Sequence, residues 1–200
     1  MKSNPISLET RNVILDAVWR GLAETGRSDL SQAEIAALAG VSRQTVFYAF
    51  GNRAGLLTAA LRRRDETMPH LRRFEEIRAR RPVSAAVIRS YAENWLDYLP
   101  HVYPVASLLS AAALNDADAK AAIEDRLVGA LLRGLAELAL ALAERRPLPG
   151  GRSPVAAAEE FWAATHVDAW RLLVAERGWT AEEFRESRLA LIPLIFGGDA

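Results

Sequence analysis

Apolar positions recur along this chain at intervals of three and four residues almost from end to end, the period of an amphipathic helix. The two-residue alternation of a half-buried strand, flanked by hairpin turn residues, is not seen. The pattern predicts an all-α protein. A first helix is expected over Leu8–Thr25, burying Val13, Ile14, Ala17, Val18 and Leu22, with Gly26 as its stop. Ser31 stands three residues before Glu34, a capping box that opens a second helix whose buried stripe is Ile35, Leu38 and Ala39. Gly40 supplies the left-handed residue that lets the chain turn sharply. Ser42 caps a third helix beginning at Arg43, anchored by Val46, Phe47 and Phe50. Asn52 caps a fourth, carrying Leu56, Leu57, Ala60 and Leu61 and ending before Pro69.

Past Pro69 the pattern stays helical. The charged run Leu71–Arg81 continues to Pro82, and further helices are expected at about 84–99, 103–113 and 116–145. Asp116 and Asp118 suit the start of the last of these, and Arg145 and Arg146 its end. Pro147–Arg152 is a loop, and Ser153 followed by Pro154 starts a helix that should reach Arg177 and stop at Gly178. Thr180 and Glu183 form a second capping box, opening a final helix to Phe196 that Pro193 should bend. The charged connector divides the chain into a small N-terminal domain, residues 1–66, and a larger helical C-terminal domain, residues 67–200.

Composition changes this picture in three ways. Lysine plus arginine and aspartate plus glutamate both number 25, so net charge alone points to no partner. The distribution does: residues 1–66 hold nine bases and seven acids, and Ile35–Arg64 holds five arginines and no acid, the local sign a phosphate backbone requires. The chain has no cysteine, which excludes disulfides and thiolate metal sites and fits a reducing cytoplasm. No secretory signal is apparent at the N-terminus, and the most apolar stretch, Leu127–Ala143, is interrupted by Arg133 and Glu137, a buried helix rather than a membrane span.

The most informative segment is Ser31–Phe50, two short helices about a tight turn, the geometry of a helix-turn-helix DNA reader. The first turn of its second helix offers Arg43, Gln44 and Thr45, side chains of the groove-reading type; an ordinary solvated helix start is the plainer explanation of the same residues. Arg62, Arg63 and Arg64 suit either a phosphate clamp or a solvated helix end favoured by the helix dipole. Tyr91, Trp95, Tyr98 and Tyr103, with Trp162 and His166, are candidates to line a ligand cavity, and ordinary core packing competes for each. Trp170 shares a stripe with Trp162 and His166 and can equally serve a subunit contact. His70, His101 and His166 lack metal-site spacing, so neither metal nor cofactor is expected. Glu93 and Asp97, four apart, read more simply as one solvated face than as paired acids, and no nucleophile elbow or phosphate-binding glycine loop occurs.

Taken in register, Ile14–Val18 and Ile35–Leu57 resemble the DNA-binding domain of the TetR family of transcriptional regulators, over about residues 8–66. The resemblance implies an Ω-shaped homodimer whose last two helices form a four-helix interface, for which Trp170, Leu173, Phe184, Leu191 and Ile195 are the candidates. It matches Arg43, Gln44 and Thr45 to base and phosphate contacts, Tyr48 and Ser31 to phosphate contacts, and Arg53 to a backbone-touching lysine. With the cap Ser42 these make up the candidate DNA-binding set. Two departures stand out: Phe47, where leucine is commoner, is expected as a volume change in the small core, and Ala49 replaces a larger side chain, often histidine. The resemblance implies a repressor released from a double-stranded, palindromic DNA operator by a small-molecule effector, with no membrane partner. A helical-scaffold enzyme using the aromatic cavity and His166, or a dimeric adaptor without DNA binding, are the alternatives.

Overall fold

The computed structural model describes residues 6–25 and 30–198; the expected helix stop at Gly26 lies outside them. Every regular element among the described residues is helical. The chain divides into two compact units: one comprises the chain through Thr67 with Pro104–Ala122, the other Met68–Tyr103 with the chain from Ile123 on.

In the first unit, α1 (Leu8–Thr25), α2 (Gln32–Leu38), α3 (Arg43–Phe50) and α4 (Arg53–Thr67) pack as a small bundle. Its core is Ile14, Leu15, Ala17 and Val18 of α1, Ile35 and Ala36 of α2, Val46 of α3, and Ala54, Leu56, Leu57, Ala60 and Leu61 of α4, with Leu30 beside them. The buried side of α1 is rotated slightly from expectation: Leu15 is inside, while Val13 is 42% exposed and Leu22 half-buried. Gly21 lets α1 approach closely, because a Cβ there would stand 2.8 Å from side-chain carbons of Leu30 and Leu38. Two of the three consecutive arginines of α4 tie it to α1. Arg63 holds Asp16 through two hydrogen bonds of 3.0 and 3.2 Å, and the Arg64 guanidinium lies 4.4 Å from the Trp19 ring centre.

The second unit contains α5 (His70–Arg78), the N-terminal part of α6 (Ala85–Ala112), α8 (Arg133–Ala143), α9 (Pro154–Ala164), α10 (Val167–Trp170), α11 (Ala181–Leu189) and α12 (Ile192–Ile195). Four expectations about the helices beyond α5 are corrected. The two helices expected either side of Pro100 are one: α6 continues through Pro100 and Pro104. Each proline costs the helix a hydrogen bond and about 3 kcal/mol; the burial of Leu96, Leu99, Val102, Val105 and Leu109 in the surrounding turns outweighs that. The helix expected over 116–145 begins as foreseen, with the Asp116 carboxylate accepting the amides of Asp118 and Ala119. It then runs as α7 (Ala117–Ile123), a wide π-helical stretch (Glu124–Leu132) and α8.

The third correction concerns the helix expected to reach Arg177. It stops at Ala164, and a new one starts after His166, passing from α10 into a π-helical turn, Arg171–Ala175. Buried Thr165 turns its hydroxyl back to the Phe161 carbonyl at 3.0 Å, and its own carbonyl accepts the Trp95 indole N–H at 2.8 Å. Extended His166 then caps α10, its Nδ1 accepting the Asp168 amide at 3.3 Å. Near the C-terminus Pro193 breaks the last helix instead of bending it: α11 ends at Leu189, and Pro193 occupies the second position of α12, where a missing N–H costs nothing.

Candidate nucleic-acid interface

The turn between α2 and α3 is built by local chemistry. Gly40, at φ +68°, donates its amide to Ala37 and Val41 donates to Ala36, the paired bonds of a Schellman stop. The Ser31–Glu34 capping box closes the other end of α2, with hydroxyl and amide of Ser31 both 2.8 Å from Glu34 Oε2. The Ser42 hydroxyl accepts the Thr45 amide at 3.0 Å and lies 2.8 Å from the Thr45 hydroxyl. The orphan donors of the α3 start are thereby reduced, and its first turn is fixed in direction.

Longer-range contacts hold α3 from behind. Val46 is fully buried. Phe50 lies under the Arg11 guanidinium, 4.5 Å from ring centre to carbon, and Arg11 Nη1 donates to the Ala49 carbonyl at 2.5 Å. Gln32 Nε2 reaches from α2 to the carbonyl of Gly51, the α3 cap, at 3.1 Å. Gly55 is required at the start of α4, because a Cβ there would collide with the Phe50 carbonyl oxygen. Asn52 caps α4 through the Gly55 amide at 2.8 Å, while its Nδ2 donates to Asp118 at 2.6 Å. Arg11, Gln32 and Gly55 were missed in the sequence because each acts on a carbonyl that only the folded chain brings near.

Outward from this frame, Ser42, Arg43 and Gln44 are exposed and Thr45 is half-buried. Tyr48 is 64% exposed and its hydroxyl accepts Gln44 Nε2 at 3.0 Å. Exposed Ser31 stands at the neighbouring helix start. Arg53 is turned inward, its Nε donating to the Leu30 carbonyl at 3.3 Å. Phe47 corrects the expectation of a core residue: it is 58% exposed, beside the Tyr48 ring. The reason is helical geometry, since Val46 and Phe50, four apart, already define the inward stripe.

The candidate cavity residues fall within the second unit. Tyr91, Trp95 and Tyr98 are buried, while Tyr103, Trp162 and His166 are half-buried. The Tyr91 hydroxyl donates to the Leu131 carbonyl at 3.1 Å, its ring packs on Phe74, and burial raises its pKa far above the ordinary phenol value. Tyr98 stacks on His70 at 4.9 Å. Trp162 and His166 remain paired at 4.9 Å, but the break at Thr165 removes Trp170 from their stripe and packs it against Tyr103 and Phe184. Of the candidate interface residues, Trp170, Phe184 and Ile195 are buried within the single chain; Leu173 and Leu191 are half-buried. Glu93 and Asp97 both meet Arg185, at 3.9 and 3.2 Å. Among the described residues no cluster of three or more His, Asp or Glu is placed to hold a metal, and no helix is long and apolar enough to cross a membrane.

Comparison with known proteins converges on the same segment. Residues 14–60 match the family of bacterial regulatory proteins known as tetR. The HTH-type transcriptional regulator TtgR of Pseudomonas putida is 40% identical over 68 residues, 34% of this chain and 32% of TtgR. The match thus spans about a third of that relative's length. The fold extends much further. The Bacillus subtilis transcriptional regulator FadR, solved with stearoyl-CoA, aligns with a TM-score of 0.68 at 16% identity, covering 94% of this chain and 99% of that one. SmeT, the repressor of the Stenotrophomonas maltophilia multidrug efflux pump SmeDEF, aligns at 0.64 and 17% identity, over 93% of this chain and 89% of its own. A matched segment, a turn built as its motif requires and an all-helical fold shared along nearly the whole chain make this protein similar to TetR-family regulators, with the family match itself confined to residues 14–60.

Proposed function

We propose that this protein is a sequence-specific transcriptional regulator, a repressor that leaves a palindromic operator when a small molecule binds. In this reading residues 1–66 are the DNA-binding domain and residues 67–200 carry effector binding and dimerisation, in the cytoplasm. The observation that carries it is the outward presentation of Arg43 and Gln44 at the capped start of a short helix fixed from behind by Val46, Arg11 and Gln32. Arg43 and Gln44 address base edges, with Thr45 and Ser42 beside them; Tyr48 and Ser31 address phosphates. Arg53 supports this frame through the Leu30 carbonyl and adds to the positive field.

One subunit supplies one reading helix, so a homodimer presents two, about 34 Å or a small multiple apart. An effector that prefers a conformation with the wrong separation weakens operator affinity by linkage. A coupling of about 1–3 kcal/mol changes affinity roughly 5- to 150-fold. TtgR's regulator role, SmeT's repressor role and the stearoyl-CoA held by FadR support the repressor and effector parts by likeness. The aromatic residues Tyr91, Trp95, Tyr98, Tyr103, Trp162 and His166 are the proposed neighbourhood of the effector.

Selection of bound duplexes from a random pool tests the reading. Enrichment of one palindrome, with affinity falling steeply as salt rises, is expected. In the selected operator, Arg43→Ala or Gln44→Ala should relax preference at single base pairs at a cost of about 1–3 kcal/mol each, whereas Tyr48→Phe should weaken all sequences alike. A pool that emerges without enrichment overturns the proposal.

A further inference from the structure

Resting on the DNA-binding reading above, we infer that Phe47 is a specificity determinant, its ring seated against the C5-methyl group of a thymine in the major groove. A single exposed apolar residue is ordinary on a protein surface; its placement sets this one apart. Phe47 lies four residues after Arg43 and three after Gln44, so the three share the outward stripe of α3 with Tyr48. Its ring meets the Tyr48 ring edge-on, with centroids 6.4 Å apart. The core makes no claim on it, since Val46 and Phe50 anchor the helix.

The side chain's chemistry narrows the partner. A phenyl ring has no hydrogen-bonding group, so it can satisfy neither a phosphate oxygen nor the polar edge of a base. On the floor of the major groove the one strongly apolar feature is the thymine methyl. The surrounding run from Ile35 to Arg64 carries five arginines and no acid, which brings the helix to a polyanion. Gln44, one turn earlier, is suited to bidentate pairing with adenine. The stripe thus combines hydrogen-bonding and apolar readers of adenine–thymine pairs.

The test uses the full-length protein and the operator selected from the random pool. Each thymine is replaced singly by deoxyuridine, which removes the methyl and nothing else. Loss of one buried methyl corresponds to about 0.8 kcal/mol, or roughly fourfold weaker binding. That loss is expected at one thymine of each half-site. With Phe47→Ala the same substitution should change affinity by less than about 1.5-fold, while Phe47→Leu retains part of the effect. Equal binding of all deoxyuridine operators by the wild-type protein overturns the inference and leaves the DNA-binding reading intact. So does full methyl discrimination retained by Phe47→Ala. A random pool from which nothing is enriched overturns the DNA-binding reading itself, and this inference with it.

Discussion

At the scale of single residues, this chain relies on small groups placed against backbone. Gly55 is the sharpest case, since any Cβ there meets the Phe50 carbonyl. Gly55→Ala should destabilise the N-terminal unit by about 1–3 kcal/mol, as overpacking does, and reduce operator binding in proportion to the unfolded fraction. Urea denaturation alongside a binding isotherm checks both. Phe47 carries the opposite lesson. Hydrophobicity assigns a phenylalanine to the core, yet helical phase places it outside. Arg43 and Gln44 were legible because polarity, phase and cap all point outward together. Arg11 and Gln32 were not, because nothing in their identity names the distant carbonyls they bond.

At the scale of elements, starts were legible and breaks were not. Ser31, Ser42, Ser153 and Thr180 each accept the amide three residues on, as their place in the sequence predicts. Ser42→Ala should therefore cost about 1 kcal/mol and loosen the first turn of α3. The expected result is weaker binding to every sequence, with the ranking of operators preserved. The stop after Ala164 has no comparable local signal, because its stabilising partner, Trp95, is 70 residues away in sequence. The continuity of α6 through Pro100 and Pro104 shows the converse: a local penalty is outweighed by burial on both sides of it.

At the scale of the whole molecule, the proposed dimer and the pH response are open to direct measurement. Trp170, Phe184 and Ile195 already fill one chain's core, so charge placed there should unfold the protein. Leu172 and Leu194 are 46% and 64% exposed and sit beside the half-buried candidates Leu173 and Leu191. Leu194→Glu should shift sedimentation from dimer to monomer with the helical signal unchanged, if the C-terminal helices carry the contact. The pH response follows from His70, which burial holds below the usual histidine pKa of about 6.5, reinforced by His101 and Arg73 and opposed by Asp97. The unfolded chain takes up this proton first as pH falls. The stability contribution is therefore complete above about pH 6.5 and declines below it. His70→Gln should flatten the dependence of the urea midpoint between about pH 7.5 and 5.5.

The indole bond between α6 and the Thr165 carbonyl has a practical corollary. Trp95 is 4% exposed and its N–H is committed to an acceptor on the other side of a helix break. That proton exchanges with deuterium only when the two segments part. Its exchange rate is accordingly a built-in clock for breathing of the C-terminal core, readable at one resonance without attaching any label.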